Sequence, residues 1–75
     1  MVTQTEAIAH RVDADRRAQG VAVLPLSEAT GIPRTTLTRF LAGKGDLKVS
    51  HIYLIARELK ANPASWFTDL PQVAA

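Results

Sequence analysis

Seventy-five residues without a cysteine leave room for one thin-cored domain that neither disulfides nor a thiolate zinc site can staple, so helix packing must supply the stability. Nine Lys and Arg against seven Asp and Glu give a formal charge of +2, well short of a non-specific nucleic-acid coat, and no apolar run approaches the ~20 residues that span a bilayer. A single domain over residues 1–75, soluble and cytoplasmic, is the expectation, with the acids Glu6, Asp13, Asp15 and Glu28 early and most cations between Arg34 and Lys60.

Residues 21–26 come nearest to the alternation of a strand, but Pro25 interrupts them, so the chain reads as all-α. A first helix is expected over 5–18, with Ala7, Ile8, Val12 and Ala18 on its apolar side and Gly20 at its end. A short second helix follows over 25–30, opened by Pro25 and closed by Gly31. Pro33 restarts a third helix that runs through Leu41, until Ala42, Gly43, Lys44 and Gly45 break it. In 49–60 the apolar residues Val49, Ile52, Tyr53, Ala56 and Leu59 recur at offsets of three and four, which predicts a fourth helix packing a core. Asn62 before Pro63 predicts a capped fifth helix over 63–70, stopped by Pro71, and a frayed tail over 72–75.

The stretch 26–40 has the spacing that two helices meeting at a steep angle require. Ser27 lies four residues before Gly31, where only a small side chain lets the helix backbones approach. Gly31 supplies the turn, and Leu26, Ile32, Leu37 and Phe40 point inward. Arg34, Thr35, Thr38 and Arg39 are then left outward. Guanidinium forks and hydroxyls of this kind bond base edges in a major groove, Arg to guanine through two parallel hydrogen bonds and Thr to several bases or a thymine methyl.

This chain resembles the phage repressor and Cro-like helix-turn-helix proteins, the lambda-repressor-like or XRE family, from Val23 to about Phe67. The Ser27 and Gly31 spacing carries the resemblance, with Ile32, Leu37, Phe40, Gly43-Lys44, residues 55–59 and residues 62–67. It implies a compact five-helix DNA-binding domain with its helix-turn-helix at about 23–42. It also implies a homodimer, at least on DNA, at an operator in double-stranded DNA. Residues matching Arg34, Thr35 and Arg39 face base edges in that family, and the loop matching Gly43, Lys44 and Lys48 lies on phosphate. With Thr38 and Thr36 added, the base-reading set is Arg34, Thr35, Thr38 and Arg39, and the phosphate-binding set is Thr36, Gly43, Lys44 and Lys48. Two positions depart from the family pattern: Val23 stands where a glutamine commonly contacts phosphate, and Pro33 where a serine commonly caps the recognition helix.

Other chemistry finds little support. His10 and His51 have no partners at metal-ligand spacing, Ser27, Ser50 and Ser65 lack a nucleophile signature, and Glu28 with Glu58 forms no acid-base pair. Neither a metal, a cofactor nor an enzymatic activity is therefore expected. Of Trp66 and Phe67, at least one should pack inward in so thin a core. The favoured function is a transcription regulator of the bacteriophage Cro or repressor type, acting in the host cytoplasm by blocking polymerase. The rival is a protein-interaction module of the antitoxin or anti-repressor kind, whose helices grip a partner protein.

Overall fold

The structure, a computed structural model, describes residues 3–45 and 48–70, and within these five helices and no strand form. The first, α1 (Gln4–Ala18), starts where the Thr3 hydroxyl accepts the Glu6 amide at 3.0 Å and donates to the Glu6 carboxylate at 3.3 Å. A short polar side chain thus satisfies an amide that the helix itself cannot. Ala9 and Val12 are buried on α1, whereas Ala18, expected on the apolar side, is exposed. It lies six residues past Val12, roughly 240° around the axis, and so faces away from the core.

The second helix, α2 (Val23–Thr30), begins two residues before Pro25 rather than at it. Pro25 sits in the first turn, where an amide would have no partner within the helix, so the ring removes no hydrogen bond. The third, α3 (Arg34–Leu41), follows Pro33 as its cap and ends at Ala42. The fourth, α4 (Val49–Leu59), has the expected extent but only part of the expected core face. Ile52, Ile55, Ala56 and Leu59 are buried, while Val49 and Tyr53 are 67% and 61% exposed. The apolar stripe is wider than the surface that α2 offers α4, and its outer edge stays in solvent.

The last helix, α5 (Ala64–Phe67), is one turn, much shorter than predicted. Asn62 caps it as expected, its Oδ1 accepting from the Ala64 amide at 3.0 Å. Its end is set from a distance: the Arg11 guanidinium donates to the carbonyls of Trp66 (3.1 Å), Thr68 and Asp69 (3.1 Å). Carbonyls that a longer helix would use are thereby taken, and Thr68 turns to an extended conformation. Pro71 and the predicted frayed tail lie outside the described residues.

One cluster of buried side chains joins all five helices: Ala9, Val12, Leu26, Ile32, Leu37, Phe40, Ile52, Ile55, Ala56, Leu59 and Trp66. In it α2 packs on both α3 and α4, and α1 packs on α3 and α5. Two polar ties close the seam between the ends of the chain. The Trp66 indole Nε1 donates to Asp15 Oδ2 at 2.6 Å, and the Gln19 amide donates to the Leu59 carbonyl. No helix among the described residues is long and apolar enough to cross a membrane.

Candidate nucleic-acid interface

The turn between α2 and α3 is built from local chemistry. Gly31 adopts φ 76°, and its amide donates to the Ser27 carbonyl at 2.9 Å. A left-handed residue there is the natural place for glycine. Ser27 has a second part that spacing alone did not reveal, because its hydroxyl also donates to the Ile32 carbonyl at 2.5 Å. Thr30 is buried with its hydroxyl donating to the Leu26 carbonyl at 2.8 Å and accepting from the Ile32 amide at 3.3 Å. Every polar group named at this corner has a partner, which holds α3 at one attitude to α2.

On α3 itself, Leu37 and Phe40 are buried, with Ile32 just before the helix buried beside them. Arg34, Thr35, Thr38 and Arg39 are all exposed, and Thr36 is half-buried. The structure therefore gathers the four candidate base-reading residues on one helix with no acidic residue among them. Pro33 leaves the start of α3 without a side-chain cap, its carbonyl accepting the Leu37 amide at 3.0 Å. The amides of the first turn thus face outward beside Arg34, where an anion is favoured.

The candidate phosphate-binding residues separate into two kinds. Gly43 is half-buried at φ 77°, and a side chain built on it would meet Glu6 Cγ at 3.1 Å. Its amide closes the end of α3 by donating to the Phe40 carbonyl at 2.8 Å, while the Lys44 amide donates to the Arg39 carbonyl at 2.9 Å. Those paired bonds satisfy the last carbonyls of the helix, so Gly43 shapes the loop. Lys44 and Lys48 are exposed, before and after the two undescribed residues 46–47, with Lys48 capping α4.

On the other side of α3, α1 contributes a group that the sequence did not single out. Asp13, Arg16, Arg17 and Val23 line a hollow together with Thr38, Leu41 and Ala42 of α3 and its end. Asp13 bridges two guanidinium groups there, Arg16 through Oδ1 at 2.7 Å and Arg17 through Oδ2 at 2.8 Å. The three lie at i, i+3 and i+4 on α1, and what the sequence leaves out is that α3 packs beside them. A second, more apolar groove of about 500 Å³ is lined by Val49, Ile52, Tyr53, Asn62, Pro63, Ala64 and Phe67. It contains the exposed edge of the α4 stripe.

His10 is exposed and His51 half-buried, its Nδ1 enclosed without a protein partner. Among the described residues no group of three or more His, Asp or Glu is placed to hold a metal ion.

Neither a family model nor a curated protein matches the chain. A solved structure does: the restriction-modification controller protein C.AhdI from Aeromonas hydrophila, similar over 84% of this chain and 96% of that one, with a TM-score of 0.78 and 21% identity. At that identity the likeness establishes the fold, an all-helical arrangement shared along nearly the whole of the neighbour.

Proposed function

We propose that this protein is a sequence-specific regulator that binds double-stranded DNA by laying α3 in the major groove. One observation carries the reading: Arg34, Thr35, Thr38 and Arg39 stand together in solvent on a helix whose attitude is held by the Ser27, Thr30 and Gly31 bonds. A rigidly presented row of guanidinium and hydroxyl donors matches the hydrogen-bonding edges of base pairs. Lys44 and Lys48 then take phosphate, with Thr36 and the backbone at Gly43 nearby. The similar structure is that of a controller protein, and a regulator is what this exposed face supports.

Arg34 and Arg39 are five residues apart, roughly 140° around the axis and about 7.5 Å along it, whereas Thr35 and Arg39 differ by only about 40°. Thr35 and Arg39 form the shared base-reading edge, and Arg34 serves a neighbouring base or the phosphate wall. Two copies on one DNA face need half-sites about 34 Å, or 10 base pairs, apart. Bound as a dimer at an operator, the protein would exclude polymerase, the repressor or Cro mode of action. The exposed Val49, Tyr53 and Phe67 supply apolar surface for the pairing, and the same groove is what favours the rival reading as a module gripping another protein.

Selection of bound sites from random duplex DNA tests all of this at once. Near-palindromes with half-sites one helical turn apart are expected. Short asymmetric sites bound by one copy would remove the dimer. A chain that enriches no sequence yet captures a protein through the groove would replace the DNA reading with the rival.

A further inference from the structure

We infer that Arg17 is a further phosphate-binding residue, mounted on α1 and held at the edge of the α3 face by Asp13. The inference rests on the DNA-binding reading above and extends it to a helix outside the helix-turn-helix. Arg16 and Arg17 are neighbours in sequence but not in circumstance. All three nitrogens of Arg16 are engaged, Nε and Nη2 with Asp13 Oδ1 at 2.9 and 2.7 Å and Nη1 with the Val21 carbonyl at 2.8 Å, and its side chain is 15% exposed. Arg16 locks the end of α1 to the residue that leads into α2. Arg17 meets Asp13 through Nε alone, at 2.8 Å, and its side chain is 73% exposed.

Position decides what the remaining donors of Arg17 can reach. The hollow that Arg17 lines is walled on its far side by Thr38, Leu41 and Ala42. Thr38 belongs to the outward row of α3, so a duplex seated on that row brings a backbone strand past Arg17. The Val23 side chain, which also lines the hollow, offers a phosphate no hydrogen bond, so Arg17 is the charged donor with free nitrogens there beside the Thr38 hydroxyl. The nearby charges permit it. Asp13 is shared between two arginines, so the trio keeps one positive charge in excess. Glu6 lies about three turns from Arg17 along α1, beside Gly43, and the exposed His10 lines the neighbouring hollow with Arg17.

As a purely structural pair, an exposed link of this kind contributes little. A guanidinium on phosphate is a charge-assisted and often two-pronged contact. Asp13 fixes Nε and so orients the fork before the ligand arrives, which lowers the entropy lost on binding.

The test is a titration of wild type, Arg17→Gln, Arg17→Lys and Arg57→Gln against the selected duplex and a random duplex at several salt concentrations, with circular dichroism on each protein. Arg57 is exposed on α4, which packs on α2, and it controls for loss of charge as such. Arg17→Gln should weaken both duplexes by the same factor and flatten the plot of log K against log[salt] by about 0.9. Arg17→Lys should restore most of that slope, and Arg57→Gln should leave it unchanged. A wild-type slope in Arg17→Gln, or an equal change in Arg57→Gln, would overturn the assignment while leaving the DNA reading intact. Absence of binding by the wild type would remove both.

Discussion

The α2-turn-α3 region and the α4–α5 region are similar in size and opposite in completeness. In the first, the buried side chains Leu26, Ile32, Leu37 and Phe40 lie beneath an α3 face on which Arg34, Thr35, Thr38 and Arg39 are exposed, and the turn is closed by bonds among residues 26–32. In the second, Trp66 is buried, but Val49, Tyr53 and Phe67 stand in solvent, and the end of α5 is set by Arg11, 55 residues away in sequence from Trp66. One region closes its turn with its own residues, with Leu24 its one large apolar side chain in solvent. The other borrows its end from α1 and leaves apolar surface uncovered, which is where a second molecule has room to bind.

The largest expected effect tests whether α5 belongs to the core despite that. Trp66 is 1% exposed and its indole donates to Asp15, so Trp66→Ala should destabilise by about 3–5 kcal/mol, a large part of the total for so small a domain. Urea unfolding followed by circular dichroism measures it. A loss below about 1 kcal/mol would mean that α5 merely leans on the molecule, and the contrast would become one between a fold and an appendage. Phe67→Ala, at a side chain 43% exposed, should cost far less and serves as the internal reference.

Next comes the outward face of the finished region. Arg39→Ala should cost about 1–3 kcal/mol on the selected site and much less on random DNA, relaxing preference at one base pair in each half-site. Arg39→Lys should recover only part, since an ammonium lacks the planar fork. Stability should move by no more than about 0.5 kcal/mol, because the side chain is exposed. Equal losses on both duplexes would reassign Arg39 to phosphate. A loss of stability in step with a loss of binding would show that face and fold are not separable.

The turn itself should be sensitive through its backbone alone. A methyl group at Gly31 meets nothing within 4 Å, yet the residue sits at φ 76°. Gly31→Ala should therefore destabilise by about 1–2 kcal/mol, the cost of a left-handed L-residue. A neutral substitution would indicate that the turn relaxes, and the attitude of α3 would no longer be fixed by it.

The same contrast explains what the sequence disclosed. The helix-turn-helix was legible because its determinants are local: a glycine four residues after a serine, and apolar residues at offsets set by the helical repeat. The outward positions of Arg34, Thr35, Thr38 and Arg39 follow from burying Leu37 and Phe40, and the structure exposes all four. The spacing predicts the whole α4 stripe as core, because periodicity reports that residues are apolar on one side, not what covers that side. Ile55 belongs to the core that was missed, and Val49 and Tyr53 to the edge that was overcounted. On α1 the pattern favours Ala7 and Ala18 over the buried Ala9, because alanines stand on both sides of that helix and a methyl group does not say which side is covered. The short α5 depends on Arg11 reaching it from a helix distant in sequence, which no local spacing records, whereas the Asp13, Arg16 and Arg17 cluster is local and only its place beside α3 is not.

The smallest effect concerns the joint between the two halves of the less complete region. Lys60, which ends α4, holds φ 53° and ψ 37°, with its amide donating to the Arg57 carbonyl at 3.3 Å and the Ala61 amide to the Ala56 carbonyl at 2.9 Å. Those are the paired bonds that close α3 at Gly43, here carried by a residue with a side chain. Gly20, Gly31 and Gly43 hold the left-handed positions that end α1, α2 and α3, so Lys60 marks a place where backbone conformation and residue type disagree. Lys60→Gly should remove about 1–2 kcal/mol of strain. The greater freedom of glycine in the unfolded chain offsets about 0.4–1 kcal/mol of that gain. A net stabilisation of roughly 0.5–1 kcal/mol corresponds to a rise in Tm of about 2–8 °C in a domain of this size. Lys60→Ala keeps the β-carbon and should give little of the increase, which separates backbone strain from loss of the ammonium group. DNA affinity of the glycine variant should match wild type, since Lys60 lies outside the proposed interface. A Tm that stays level or falls would mean that the Lys60 side chain holds the α4–α5 joint, and that this region too is completed by its own residues.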